Sequence, residues 1–117
     1  MSVSVLVVDD DPAFRGLARR MLIAAGLGVA GEAGTVVAAT AAALDLRPDA
    51  ALVDIGLPDG NGISLARELA ALPWSPRIIL TSTDADAASA EDVRKSGAEI
   101  FVPKAELPTV SLERLLA

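Results

Sequence analysis

Short β-branched apolar runs alternate along the chain with longer stretches whose apolar residues recur at helical spacing. Residues 3–8 (VSVLVV) are almost continuously apolar and bounded by charge, the pattern of a strand (β1) covered on both faces. Pro12 then suits a helix start, where its missing N–H costs nothing. Phe14, Leu17, Ala18, Met21 and Ala25 follow on one face of that helix (α1), with Arg15 and Arg19 on the other. Gly26 ends it, and Arg19 and Arg20 are placed to favour the carbonyl end of the helix dipole. A brief strand over 27–33 (β2) leads to an alanine-rich helix over 35–46 (α2), which stops before Pro48. Residues 49–55 (DAALVDI) predict β3 and 63–72 predict α3. Residues 77–82 (RIILTS) predict β4, and 86–96 predict α4, closed by Gly97. Residues 99–102 (EIFV) predict β5 and 109–116 predict α5. Pro103 puts β5 at a sheet edge, because a central strand would miss the lost donor.

Five strands alternating with five helices predict one α/β domain over residues 1–117, a parallel sheet with helices on both faces. Residues 26–31 (GLGVAG) do match the spacing G-x-G-x-x-G. Their context rejects a dinucleotide site: they leave a helix and enter a strand, whereas that chemistry needs a strand feeding a helix N-terminus. They read instead as a helix cap and a tight turn.

Composition narrows the chemistry. Hydrophobic residues make up 52% of the 117 and charged residues 22%, a globular balance. A net charge of -6 argues against nucleic-acid contact, which needs clustered Lys and Arg. With no cysteine and no histidine, thiolate and imidazole metal sites, His-based triads and a self-contained phosphohistidine are all excluded. No apolar run reaches the ~20 residues that span a bilayer. Three aspartates within the first eleven residues do not fit a signal peptide, so a soluble cytoplasmic protein is expected.

In a parallel sheet of this kind, ligands bind beyond the carboxyl ends of the strands. There β1 presents Asp9, Asp10 and Asp11, β3 presents Asp54, β4 presents Thr81 and Ser82, and β5 is followed by Lys104. A lone Asp-Asp pair is usually a turn or cap, and Asp11 before Pro12 reads as a cap. Asp54 is different, an isolated acid closing an apolar strand. Clustered carboxylates repel and demand a cation. A hard oxygen-lined site suits Mg²⁺. Lys104 alone would be a surface lysine; beside three acids it becomes a counter-charge for phosphate.

Taken together, VVDDDP at 7–12, DIGLPDGNG at 54–62, ILTS at 79–82 and FVPK at 101–104 resemble the receiver domain of bacterial two-component response regulators, over the whole chain. The resemblance implies a (βα)₅ flavodoxin-like, doubly wound fold with strand order 2-1-3-4-5. It implies that Asp54 takes a phosphoryl group from a sensor histidine kinase or a histidine phosphotransfer protein. Asp10 would be the direct Mg²⁺ ligand, Asp9 would act largely through water, and the backbone carbonyl of Gly56 would complete the site. Lys104 would pair with the phosphoryl oxygens, and Phe101 holds the aromatic switch position. Counting back from Lys104 and Gly97 favours Ser82 as the switch hydroxyl, with Thr81 second. The family often has Lys-Pro at this point, whereas here Pro103 precedes Lys104 and Ala105 follows. Gly56 and Asp84 hold the two variable positions flanking the site.

The resemblance further implies an acceptor and not an enzyme, with at most slow self-dephosphorylation. Its output face is α4-β5-α5, through which homodimers can form. Between Ala85 and Ser96 only Val93 is a large apolar residue, so α4 is expected to be loosely held. Two rivals remain at this level. One is a haloacid-dehalogenase-like phosphatase with Asp9 as nucleophile, although Pro12 and Ala13 stand where a hydroxyl residue is needed. The other is a receiver-like binding module that is never phosphorylated.

Overall fold

The structure, a computed structural model, describes residues 2–116. The sheet consists of β1 Ser4–Val8, β2 Gly28–Ala33, β3 Ala50–Asp54, β4 Arg77–Ser82 and β5 Ile100–Pro103. These strands are all parallel in the order β2-β1-β3-β4-β5, which is the expected doubly wound arrangement. Pro103 does lie on an edge strand.

Each central strand has side chains on both faces buried, as its apolar run requires. Val5, Val7, Leu52 and Ile79 point to the face covered by Phe14, Ala18 and Leu22 of α1 (Pro12–Ala24) and Leu112 and Leu116 of α5 (Leu112–Leu116). Leu6, Val8, Val53, Ile78 and Leu80 point to the other. That second face is covered by α2 (Val36–Leu46) and α3 (Gly62–Ala70). Each Leu or Ile so buried contributes about 1.5–3 kcal/mol.

The helix boundaries follow local chemistry. Asp11 caps α1, its carboxylate accepting from Ala13 N at 3.0 Å. Thr35 caps α2 and Asn61 caps α3 in the same manner. Three expectations need correction. Helix α4 is Ala90–Ser96 and not 86–96, because a reciprocal capping box between Ser89 and Asp92 sets its start. Residues 104–109 form a 3₁₀ turn containing Pro108, so α5 begins only at Leu112. The last turn of α1 holds no basic residue; Arg19 and Arg20 fall short of it. A small antiparallel pair, Gly56–Leu57 with Gly60–Asn61, was not anticipated.

That pair exists because the chain must turn sharply beside β3, and Gly62 lets it do so. The Gly62 amide donates to Ile55 O at 2.8 Å. A Cβ at residue 62 would fall 2.1 Å from Asp54 O and 2.7 Å from Ile55 Cα. At Gly56 a Cβ would meet nothing within 4 Å. In urea unfolding, Gly62→Ala is therefore expected to lose about 2–3 kcal/mol by displacing the Asp54 backbone. Gly56→Ala should stay within roughly 0.5 kcal/mol of the parent.

Candidate functional site

The sheet brings the acids from β1 and β3 together at one end. The Asp9 amide donates to Ala33 O at 2.9 Å, continuing the ladder one residue past β1. Asp9 has no accessible surface. Its Oδ1 accepts from Asp11 N at 2.9 Å. Lys104 Nζ stands 2.6 Å from Asp9 Oδ2, an ionic contact without hydrogen-bond alignment. That buried oxygen consequently has no hydrogen-bond partner among the described residues. Asp54 is 6% exposed, with Oδ2 4.0 Å from Lys104 Nζ. Asp10 is exposed, and one carboxylate oxygen from each of Asp9, Asp10 and Asp54 lies within 4.8 Å of the others.

Three acids thus share one ammonium. Burial raises the Asp54 carboxyl above its ordinary value, and the Asp9 charge adds to this. Lys104 and a hydrogen bond from the Gly56 amide pull it back, while Asp10 raises it again. The net direction is upward, set first by burial and then by like charge. An orphaned buried carboxylate oxygen, two further acids within reach and an all-oxygen donor set together suit a hard divalent cation.

The surroundings hold this geometry in place. Arg15 Nη1 donates to Asp9 O at 2.6 Å, and its Nε pairs with Glu32 Oε1 at 3.2 Å, fixing the turn after β1. Lys104 Nζ lies 4.2 Å above the Phe14 ring centroid. The Asp59 carboxylate accepts from Val36 N and Val37 N at 2.7 and 3.1 Å, tying the loop after Asp54 to the start of α2. Sequence reasoning gave none of these roles. Helical spacing puts Phe14 on the apolar face of α1 and Arg15 on the other, although their closeness to the aspartate triplet is a usable signal.

The two adjacent hydroxyls separate cleanly. Thr81 pairs in register with Asp54 and with Val102, is fully buried, and donates its hydroxyl to Val102 O at 2.7 Å. Alternation therefore puts Thr81, not Ser82, on the Asp54 face of the sheet. The Ser82 hydroxyl accepts from Asp84 N at 3.1 Å, which leaves its own proton uncommitted among the described residues. Ser82 shares its face with Leu80, which pairs with Phe101. Phe101 is half-buried in a groove against Ala90 and Val93 of α4. Gly56 is exposed just past Asp54.

Comparison with known proteins places this arrangement. Residues 5–115 match the family described as the response regulator receiver domain. The DNA-binding transcriptional activator DevR/DosR of Mycobacterium tuberculosis is 41% identical over 104 residues, covering 87% of this chain and 48% of that protein. Chemotaxis protein CheY of Thermotoga maritima is 32% identical over 115 residues, 98% of this chain and 96% of that one. This chain therefore spans about half of one relative and almost all of the other. The BeF₃-activated receiver domain of Klebsiella pneumoniae RstA superposes with a TM-score of 0.80 at 29% identity, covering 96% and 94% of the two chains. The motifs at the strand ends, the sheet order and these matches agree: the chain belongs to the response regulator receiver domain family.

Proposed function

We propose that Asp54 accepts a phosphoryl group from the phosphohistidine of a sensor histidine kinase or a histidine phosphotransfer protein. The observation that carries this reading is a nearly buried carboxyl closing the central strand, with two more carboxylates within 4.8 Å and an ammonium at 4.0 Å. Asp9, Asp10, Asp54 and the Gly56 carbonyl would hold Mg²⁺, with Asp10 the direct ligand. Bound there, the ion supplies positive charge that offsets the phosphoryl oxygens. A carboxylate oxygen of Asp54 attacks phosphorus in line as the phosphorus–nitrogen bond breaks, leaving a neutral imidazole on the donor once its nitrogen is reprotonated. Lys104 neutralises oxygens of the transferred group. Water returns the acyl phosphate to Asp54 and inorganic phosphate slowly, so the domain is an acceptor first.

The rival with Asp9 as nucleophile is disfavoured by burial, since Asp9 offers no accessible surface for attack. For the switch, Ser82 is the better reading despite the alternation, because the Thr81 proton is already committed to Val102 O. A phosphoryl group on Asp54 draws the Ser82 hydroxyl towards it, and Phe101 turns into the space released. The α4-β5-α5 face then changes, which gives partners or a second copy of the chain a surface to read. A cytoplasmic location, where such kinases present their phosphohistidine, belongs to the same reading; among the described residues no helix is long and apolar enough to cross a membrane.

Acetyl phosphate with Mg²⁺ followed by peptide mass spectrometry is expected to place the label on Asp54. Label on Asp9, or none from any donor, overturns the reading. Phe14 and Phe101 are the only phenylalanines, so their ring resonances are easily assigned. Ser82→Ala should disconnect the Phe101 ring from beryllofluoride addition. Thr81→Ala should instead cost about 1–2 kcal/mol through the lost buried hydrogen bond and leave that response intact.

Burial of Asp54, with the like charge beside it, gives a stability test. With its folded-state pKa raised, Asp54 costs stability above that value, and the cost disappears as pH falls below the ordinary carboxylate range. Asp54→Asn is expected to raise the metal-free Tm at pH 7 by roughly 2–6 °C. The gap should close on acidification. Millimolar Mg²⁺ should raise the wild-type Tm and do much less for Asp10→Asn.

Within α4 only Ser96 is fully buried. Hydrogen exchange over residues 85–97 is expected to change on beryllofluoride addition. Equal protection with and without it would count against α4 as part of the responding face.

A further inference from the structure

We infer that Phe14 is a positioning residue for phosphoryl transfer, holding the Lys104 ammonium inside the acid cluster. This rests on the acceptor reading of Asp54. Lysine is a flexible four-carbon stem carrying a strongly hydrated point charge, and nothing in its own covalent structure keeps that charge in one place. Here the charge is held. The Lys104 side chain is only 15% exposed, with Nζ 4.2 Å from the Phe14 ring centroid and 2.6 Å from Asp9 Oδ2. Phe14 is itself 9% exposed and fixed on α1, whose start is pinned by the Asp11 cap. The ring face therefore forms a rigid wall beneath the ammonium, and its negative quadrupole attracts the cation.

The geometry also says what the wall is for. In this state Lys104 leans on Asp9, and Asp54 Oδ2 is 4.0 Å away, beyond hydrogen-bond reach. To meet oxygens of a group on Asp54, the ammonium has to leave Asp9 and shift towards Asp54. A non-directional contact with a ring face tolerates that displacement, whereas a hydrogen bond to a fixed acceptor would resist it. Phe14 so keeps Nζ in the site at both ends of its travel. An aliphatic residue would keep the position apolar but leave the ammonium free to hydrate and swing out.

Two measurements test this. The chain has two lysines, and Lys95 is 70% exposed, which makes it an internal reference. Ring-current shielding should place the Lys104 ε-methylene protons upfield of those of Lys95. Phe14→Leu should bring the two together, and Phe14→Tyr should keep them apart; Phe14→Met provides the same comparison if Leu proves too unstable. In the second measurement, acetyl phosphate should label Asp54 roughly three- to tenfold more slowly in the Leu or Met variant, with the Tyr variant close to wild type. The Mg²⁺-induced rise in Tm should be the same in all of them. Unshifted Lys104 protons in wild type, or equal labelling rates in the aliphatic and Tyr variants, overturn the positioning role while leaving the acceptor reading intact. A wild-type chain that takes no label at Asp54 overturns both.

Discussion

One ammonium among three carboxylates is the constraint around which this domain is arranged. Asp9 is completely buried, and a buried charge persists only if it is paired or bonded on every side. Its carboxylate takes the Asp11 amide on one oxygen and Lys104 on the other. Asp54 and Asp10 are left to share what remains of that positive charge. The imbalance would be a fault in a structural core. At the carboxyl edge of a parallel sheet it becomes a standing attraction for a divalent cation and, through the cation, for an anionic group.

Keeping three like charges close requires a backbone that cannot relax away from them. The side chain of Arg15 grips the Asp9 carbonyl from α1 and is itself anchored by Glu32 on β2. On the opposite side, Gly62 packs so tightly against Asp54 and Ile55 that no Cβ fits. Asp59 then clamps the intervening loop to two free amides at the start of α2, where the helix dipole also favours its charge. Hydrogen bonds from those amides hold the Asp59 carboxyl below its ordinary value, so this clamp stays ionised at neutral pH. The site is thus built from strand ends but made rigid by helix starts.

Much of this was legible because the signals were local. An apolar run that ends in a lone acid, as at Asp54, marks both the strand and the end where the candidate site lies. The Asp9 to Asp11 triplet does the same, with Pro12 announcing the helix. Pairing across the sheet left no such trace. Thr81 and Ser82 look equivalent in sequence, and only register shows that Thr81 faces Val102 and spends its proton there. Phe14 reads as one more apolar residue of an amphipathic helix until Lys104, ninety positions later, is placed above it. The sequence starts α4 too early, at residue 86, because residues 86–88 carry helix-compatible side chains. Reciprocal capping by Ser89 and Asp92 outcompeted propensity there.

On the acceptor reading, the weakness of α4 would let a small charge event have a structural result. Its surface ion pairs, Glu91 with Arg94 and with Lys95, join exposed side chains and contribute little. Apart from Ser96 it buries no side chain completely, so its placement depends largely on half-buried neighbours such as Val93 against Phe101. Phe101 shares a sheet face with Leu80, and Ser82 is two residues beyond Leu80 on that same face. On the acceptor reading, the path from Asp54 to α4 would run through one hydroxyl at the end of β4, one ring and one loosely packed helix. A helix held by a large apolar face would need several kcal/mol to move. Here the energy of a few charge-assisted hydrogen bonds at Asp54 is comparable with what fixes α4, which is the condition for shifting a population between two packings.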